Sequence, residues 1–261
     1  MSLEIIQFDN KDKKNLKQFV KFHWDLYKGD KKFVPPFNME LLGNKLFGAI
    51  GLLTDKHPFH KTSEVTYFLA KKDGKTVGRI AGIVNNSHNE FHNEKTGFFG
   101  FFEVIEDSDV AKVLLDEVKN WLKEKGMEIM RGPASFSSNG TFGLLVENYE
   151  DYPMVYTGYN KKYYEKLLID YGFKKEMDTI AQIMPVMDKT EEQKKRRDRI
   201  RRISEKVKKK YGVKVRPVNL SKKTFEQELD NIRHIYNNAW GKNWGFVPIT
   251  EEEFHDYAIG M

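Results

Sequence analysis

The chain has 261 residues, 39% of them hydrophobic and 13% aromatic, with 44 Lys and Arg against 38 Asp and Glu and no cysteine. That aromatic content excludes a disordered chain, and the missing cysteines exclude a disulfide scaffold, thiolate metal sites and a cysteine nucleophile. The formal charge of +6 is local: residues 194–210 (KKRRDRIRRISEKVKKK) carry +9, so the remainder sums to −3.

In chain order, residues 3–8 read as a strand. Residues 11–28 form a helix with Leu16, Phe19, Val20, His23 and Tyr27 on one face, ended near Gly29. Residues 31–60, rich in Gly and Pro, read as irregular with short helical pieces. Two strands follow at 65–72 and 76–84, joined by an Asp73-Gly74 turn, and 97–105 reads as a buried strand. A helix capped by Asp107, Ser108 or Asp109 then carries Val110, Val113, Leu114, Val118, Trp121 and Leu122 to Gly126. Residues 127–133 form a short strand broken by Gly132-Pro133, and 135–143 a polar loop. A strand at 154–159 precedes a helix capped by Asn160 and ended by Gly172, and 173–185 closes the unit as a strand.

Thr190-Glu-Glu-Gln193 has the form of a capping box and opens the basic helix, whose apolar stripe is Ile200, Ile203, Val207 and Tyr211. Beyond Gly212 a strand at 213–220 and a helix bearing Phe225, Leu229, Ile232, Tyr236 and Ala239 repeat the opening order, and a further helix starts at Thr250. The expected organisation is therefore a domain over 1–187, a connecting helix over 188–212, and the start of a second, incomplete domain over 213–261. No apolar run approaches the 18 residues of a membrane span, and the N-terminus lacks a signal peptide's apolar core, so a cytoplasmic location is expected.

This order, together with GRIAGIVNNSHNEFHNEKTGFFGFFEV, RGP, GLLVENY and PMVYTGYNKKYYEKL, resembles the GNAT acyl-CoA N-acyltransferase superfamily, and specifically a bacterial family of tandem GNAT-like proteins. The resemblance covers about residues 60–180 well and about 213–258 more loosely. It implies an α/β fold with a splayed mixed sheet and helices on both faces, acetyl-CoA or another acyl-CoA as substrate, and an amine on a small molecule or a protein as acceptor. The superfamily's pyrophosphate loop, Q/R-x-x-G-x-G/A, supplies free backbone N–H groups at a helix start. The corresponding EVIEDSDVAK has no glycine and three carboxylates, Glu106, Asp107 and Asp109. The superfamily's leaving-group tyrosine falls on Leu168 by one count and on Tyr164 by another.

The residues themselves offer several candidates. Glu103, after four aromatics on a central strand, is the candidate base, with a pKa raised by burial, against a strand-end charge that reaches solvent or a pairing Arg. Tyr164 is the candidate acid, against core packing with Tyr163 and Tyr171. Arg131, Ser135, Ser137, Ser138 and Asn139 form a polar loop at a strand end, either a substrate pocket or turn chemistry, and Asn160 joins the binding candidates. His88 and His92 stand four apart, but Glu90 is one place late for H-E-x-x-H, so no metal site is expected. Trp240, Trp244 and Phe246 line a cleft or cap a core. The basic helix reads as a solvated connector whose stripe lies on a domain, or as a contact for nucleic acid, an anionic membrane or an acidic partner. The expected function is N-acyl transfer; the alternatives are an inactive GNAT-like scaffold and a nucleic-acid-docking protein.

Overall fold

The computed structural model describes residues 2–154, 156–183, 190–219, 221 and 223–260. Two compact units are present, one of residues 1–177 with 229–261 and one of 178–228. The expected boundary at 187/188 lies outside the described residues.

The first unit is built on a five-stranded mixed sheet in the order β1 (Leu3–Phe8), β2 (Ser63–Lys72), β3 (Lys75–Asn85), β4 (Thr96–Val104), β5 (Ile129–Arg131). All pairs are antiparallel except β4–β5. Asp73 and Gly74, both at positive φ, make the two-residue turn between β2 and β3, which matches the twist of the paired strands. Strand alternation distributes the core. Phe68 and Ala70 pack toward α4 (Ser108–Glu124) and α5 (Tyr163–Tyr171), with Ile80, Phe99, Leu114, Val118 and Leu168. Tyr67 and Leu69 pack on the other face with Phe19 and Val20 of α1 (Lys13–Leu26) and with Leu41, Leu53 and Phe59. Leu41 lies in α2 (Asn38–Leu42).

The sheet's centre positions everything that follows. β4 and β5 pair over three positions only, Thr96 with Ile129, Gly97 with Met130 and Phe98 with Arg131. Beyond Phe98 the ladder stops, because β5 ends at Arg131, but the backbone after it stays against β4, with Gly132 beside Phe99 O and Ala134 O beside Gly100. On its other side β4 follows β3 with a register break between Arg79 and Ala81, where Phe101 takes φ 50°. Such a bulge twists the strand and re-aims the side chains after it, here Glu103 among them. The β4 edge released by β5 is satisfied by side chains: Ser135 Oγ accepts from Phe101 N at 3.0 Å, Tyr164 Oη accepts from Val104 N at 2.9 Å, and Tyr163 donates to Val104 O at 2.7 Å.

Several local expectations change. HNEFH is not loop but helix α3 (Asn86–His92), started by Asn85, whose side chain accepts from His88 N. Residues 156–159 make one isolated bridge, Phe142 with Thr157, and no strand; 174–183 and 213–219 are irregular. The ends of three expected strands, at 155, 184–185 and 220, lie outside the described residues. Helix α5 begins at Tyr163 after Lys162, without a side-chain cap from Asn160. Two-residue strands β6 (Ala134–Ser135) and β7 (Thr141–Phe142) pair in the polar loop.

In the second unit, α6 (Glu191–Tyr211) has the expected capping box between Thr190 and Gln193 and no buried residue. Helix α7 (Phe225–Trp240) leads from this unit into the C-terminal part of the first, which ends in α8 (Glu251–Gly260). No helix among the described residues is long and apolar enough to cross a membrane.

Candidate active site

Glu103 projects from β4 toward α1, on the face opposite its neighbours Phe102 and Val104, which pack in the α4 core. Four side chains converge on its carboxylate. His23 Nε2 lies 3.1 Å from Oε1 and an Arg79 guanidinium nitrogen 3.9 Å from it. Tyr27 and Tyr164 both donate to Oε2, at 2.9 and 2.7 Å. The side chains of Arg79, Glu103 and His23 are 2%, 8% and 15% exposed. His23 is thus the member of the trio within reach of solvent.

Each contributor is held from a different element. Arg79, paired across β3–β4 with Glu103, also donates to Phe19 O at 2.8 Å and lies over the Phe19 ring. His23 and Tyr27 stand four apart on α1, which puts them on one helix face. Phe33 stacks on Tyr27 at 4.5 Å and meets the His23 ring edge-on at 4.9 Å. Tyr164 approaches from the α5 side, its ring in the α4 core and its hydroxyl at the free edge of β4.

The raised pKa expected for Glu103 is not found. Burial pushes it up, but His23, Arg79 and the tyrosine hydroxyl outweigh that and hold it below the ordinary range. The ion pair with Arg79, the alternative reading, is present. Burial lowers the His23 pKa, against the opposing pull of Glu103. Burial and the Glu103 charge raise Tyr27 and drive Tyr164 well above the phenol range. At neutral pH the site therefore holds a carboxylate, a guanidinium, a neutral imidazole and two protonated phenols.

Of the candidates read from sequence, the structure brings Glu103 and Tyr164 together. It does not bring Arg131, Ser137, Ser138, Asn139 or Asn160 to them. Arg131 pairs with Glu94 at 3.3 Å and Glu176 at 3.4 Å. Ser137 accepts from Asn139 N, which is turn chemistry. Ser138 donates to Gly245 O, and Asn139 donates to Val247 O and accepts from Tyr236, so both bind the C-terminal segment. Asn160 is buried and clamps the backbone of Leu145 through both N and O. His88 and His92 are likewise engaged, with Glu94 at 3.4 Å and Phe246 O at 2.8 Å. Phe246 is buried against Phe91, whereas Trp240 and Trp244 stay exposed.

His23, Tyr27 and Arg79 belong to the site without any motif that marks them in the sequence. Their signals were a histidine and a tyrosine on an apolar helix face and an arginine inside the apolar strand TVGRIAGIV.

The start of α4 is closed to an added anion. Asp107 Oδ1 accepts from Asp109 N at 3.0 Å and Val110 N at 3.2 Å, while Lys72 pairs with its other oxygen at 3.2 Å. The backbone donors a pyrophosphate would use are thus taken by a carboxylate.

No family model matches the chain. It is 31% identical over 245 residues to Protein YghO of Escherichia coli (strain K12), covering 93% of this chain and 58% of that protein. It is 30% identical over 248 residues to a bacterial ceramide synthase of Caulobacter vibrioides, covering 94% and 60%. The chain thus spans less than two thirds of the length of either relative. Among solved structures, an aminoglycoside acetyltransferase from an uncultured soil metagenomic sample, in complex with trehalose, aligns with 71% of this chain and 97% of its own at 13% identity and a TM-score of 0.42.

Proposed function

We propose that this chain, whose five-stranded mixed sheet holds one short parallel pair beside a bulged β4, has the GNAT-type acyltransferase fold and takes part in N-acyl transfer from an acyl thioester to an amine. The observation that carries the reading is the His23–Glu103–Tyr164 chain of contacts at the bulged end of β4, beyond its three-position ladder with β5. With Nε2–H donated to Glu103, the Nδ1 of a neutral His23 carries a lone pair and serves as general base. As the amine attacks the thioester carbonyl, its proton passes to Nδ1. The Nε2 proton moves to Glu103, and the Tyr164 proton to the departing thiolate. Glu103 then returns a proton to Tyr164, and His23 gives its Nδ1 proton to solvent as Nε2 takes one up, which restores the starting tautomer. The transfer is concerted, because burial opposes a free phenolate at Tyr164.

The acyl donor is acetyl-CoA or another acyl-CoA, with its phosphates held by a part of the protein other than the start of α4. The acceptor is an amine on a small molecule or a protein. A relative named as a ceramide synthase favours a long-chain amino alcohol as the first acceptor to try. The occupied amides at Asp109 and Val110 favour a second reading, in which this chain is a non-catalytic binding module.

One assay separates the two readings. Thiol release from acetyl-CoA and a long-chain acyl-CoA is followed with the full polypeptide and a long-chain amino alcohol. Under the catalytic reading His23→Ala lowers kcat by about 100-fold, the scale of one general base, and leaves KM nearly unchanged. Activity in which His23→Ala and Tyr164→Phe match the wild type would overturn it.

A further inference from the structure

We infer that α6 is an interfacial helix that docks the protein on an anionic lipid bilayer. The inference is independent of the acyl-transfer reading, because it rests on the second unit alone. Four features of the helix support it.

The first is an apolar stripe left exposed among the described residues of its unit. Ile200, Ile203, Val207 and Tyr211 are spaced three, four and four residues apart, which at about 100° per residue keeps them within an arc of about 80°. They are 58%, 52%, 45% and 66% exposed. The stripe runs over the last three turns of a 21-residue helix in which no residue is buried. A solvated connector has no use for four aligned large apolar side chains.

The second is the charge. Residues 194–210 hold eleven basic residues and two acidic ones. The third is where those charges fall on the helix. By the same angular step, Arg199, Lys206 and Lys210 flank the stripe on one side and Arg197 and Lys208 on the other, and Arg196 falls within its arc. Asp198 and Glu205 lie on the far face, about 160–180° from the middle of the stripe, with Arg202 and Lys209 beside them. Cations thus line both borders of the apolar face as well as the far side, and both anions lie away from the stripe. This is the arrangement that lets apolar residues enter the headgroup boundary while Lys and Arg meet lipid phosphates. The fourth is length: 21 residues span about 31 Å, enough to lie in the plane of a bilayer but with only four apolar positions, so the helix rests on the membrane and does not cross it.

Nucleic acid is the other polyanion this charge would attract, and the stripe argues against it. Phosphate contacts are made by the basic residues alone and gain nothing from Ile203 or Val207. Between Lys194 and Lys210 there is no Asn, Gln or aromatic residue to read or stack on bases.

Co-flotation of the intact chain with vesicles tests this. Expected is binding to phosphatidylcholine vesicles carrying about 30% phosphatidylglycerol and not to phosphatidylcholine alone, each added Lys or Arg contributing about 1 kcal/mol near such a surface. Binding should fall at least about tenfold in about 0.5 M NaCl, where the Debye length is about 4 Å. Ile203→Asp with Val207→Asp should lower it by at least about tenfold through lost insertion. Arg199→Gln with Lys206→Gln and Lys210→Gln, which keeps the stripe, should lower it as well. Circular dichroism confirms that each variant keeps its helix content. Absence of binding, equal binding to uncharged vesicles, or indifference to the Ile203/Val207 pair overturns the inference. So does tighter binding to a short DNA duplex that the Ile203/Val207 pair leaves unchanged, which would make nucleic acid the occupant.

Discussion

Glu103 keeps its charge in a place that ordinarily removes it, and the cost is met by four partners at once. Such a carboxylate is worth little in isolation, but its loss strands the others. Glu103→Gln leaves the Arg79 cation buried without its counter-ion, and the expected cost is about 3–5 kcal/mol of unfolding free energy. Tyr164→Phe removes the acceptor for Val104 N and one donor to Glu103, at about 1–3 kcal/mol. Urea unfolding of the two variants measures both, and a Glu103→Gln variant as stable as the wild type would show that Arg79 finds other partners. Two further histidines predict an acid limb. Burial lowers both His57 and His88 from 6.5 to about 4. The unfolded chain therefore binds more protons than the folded one below pH 6.5. Their contribution is complete above that pH and is lost as pH falls from 6.5 toward 4, at up to about 1.4 kcal/mol per unit per group. The thermal midpoint should drop over that window, and His88→Asn should flatten part of the drop. A midpoint independent of pH between 6.5 and 4 would refute this.

At the scale of elements, β4 carries the design. Gly100 sits where the backbone after β5 crosses closest: a Cβ there would stand 1.9 Å from Ala134 O. Gly100→Ala therefore cannot be absorbed by a rotamer change and must push the 132–136 segment off the strand. The expected loss is about 2 kcal/mol or more, the scale of core overpacking, read by thermal unfolding. An unchanged midpoint would mean that the two backbones separate freely. β4 and α4 were both legible in the sequence, because an apolar run and a 3.6-residue stripe are local signals. HNEFH was not, since the seven residues of α3 show no stripe and the helix starts from the Asn85 cap. The segments at 156–159, 173–183 and 213–219 have strand-like composition, but a strand needs a partner edge that local pattern does not disclose. The site was half legible for the same reason. Glu103 stands out as a charge among aromatics and Tyr164 as the candidate acid, whereas His23, 80 residues from Glu103, is recruited by packing.

The whole molecule divides its charge along with its structure. Residues 178–228 contain sixteen basic and eight acidic residues, so the rest of the chain carries −2. Within the 178–228 unit the basic helix is exposed along its length, while residues 229–261 return to the first unit. Phe246, Val247 and Ile249 are buried there, and the backbone at 245–247 bonds to His92, Ser138 and Asn139. His57 faces Asp256 at 3.6 Å, and Lys61 pairs with Glu252. Limited trypsin digestion separates these two behaviours. Cleavage should begin among the eleven basic residues of 194–210, because an exposed helix without packing opens locally at little cost. The two fragments should nonetheless migrate together in size-exclusion chromatography, since the buried residues and hydrogen bonds of 245–256 do not pass through the cut. Separation of the fragments under native conditions would show that these contacts need the intact connection. First cleavage elsewhere would show that α6 is shielded in the free protein.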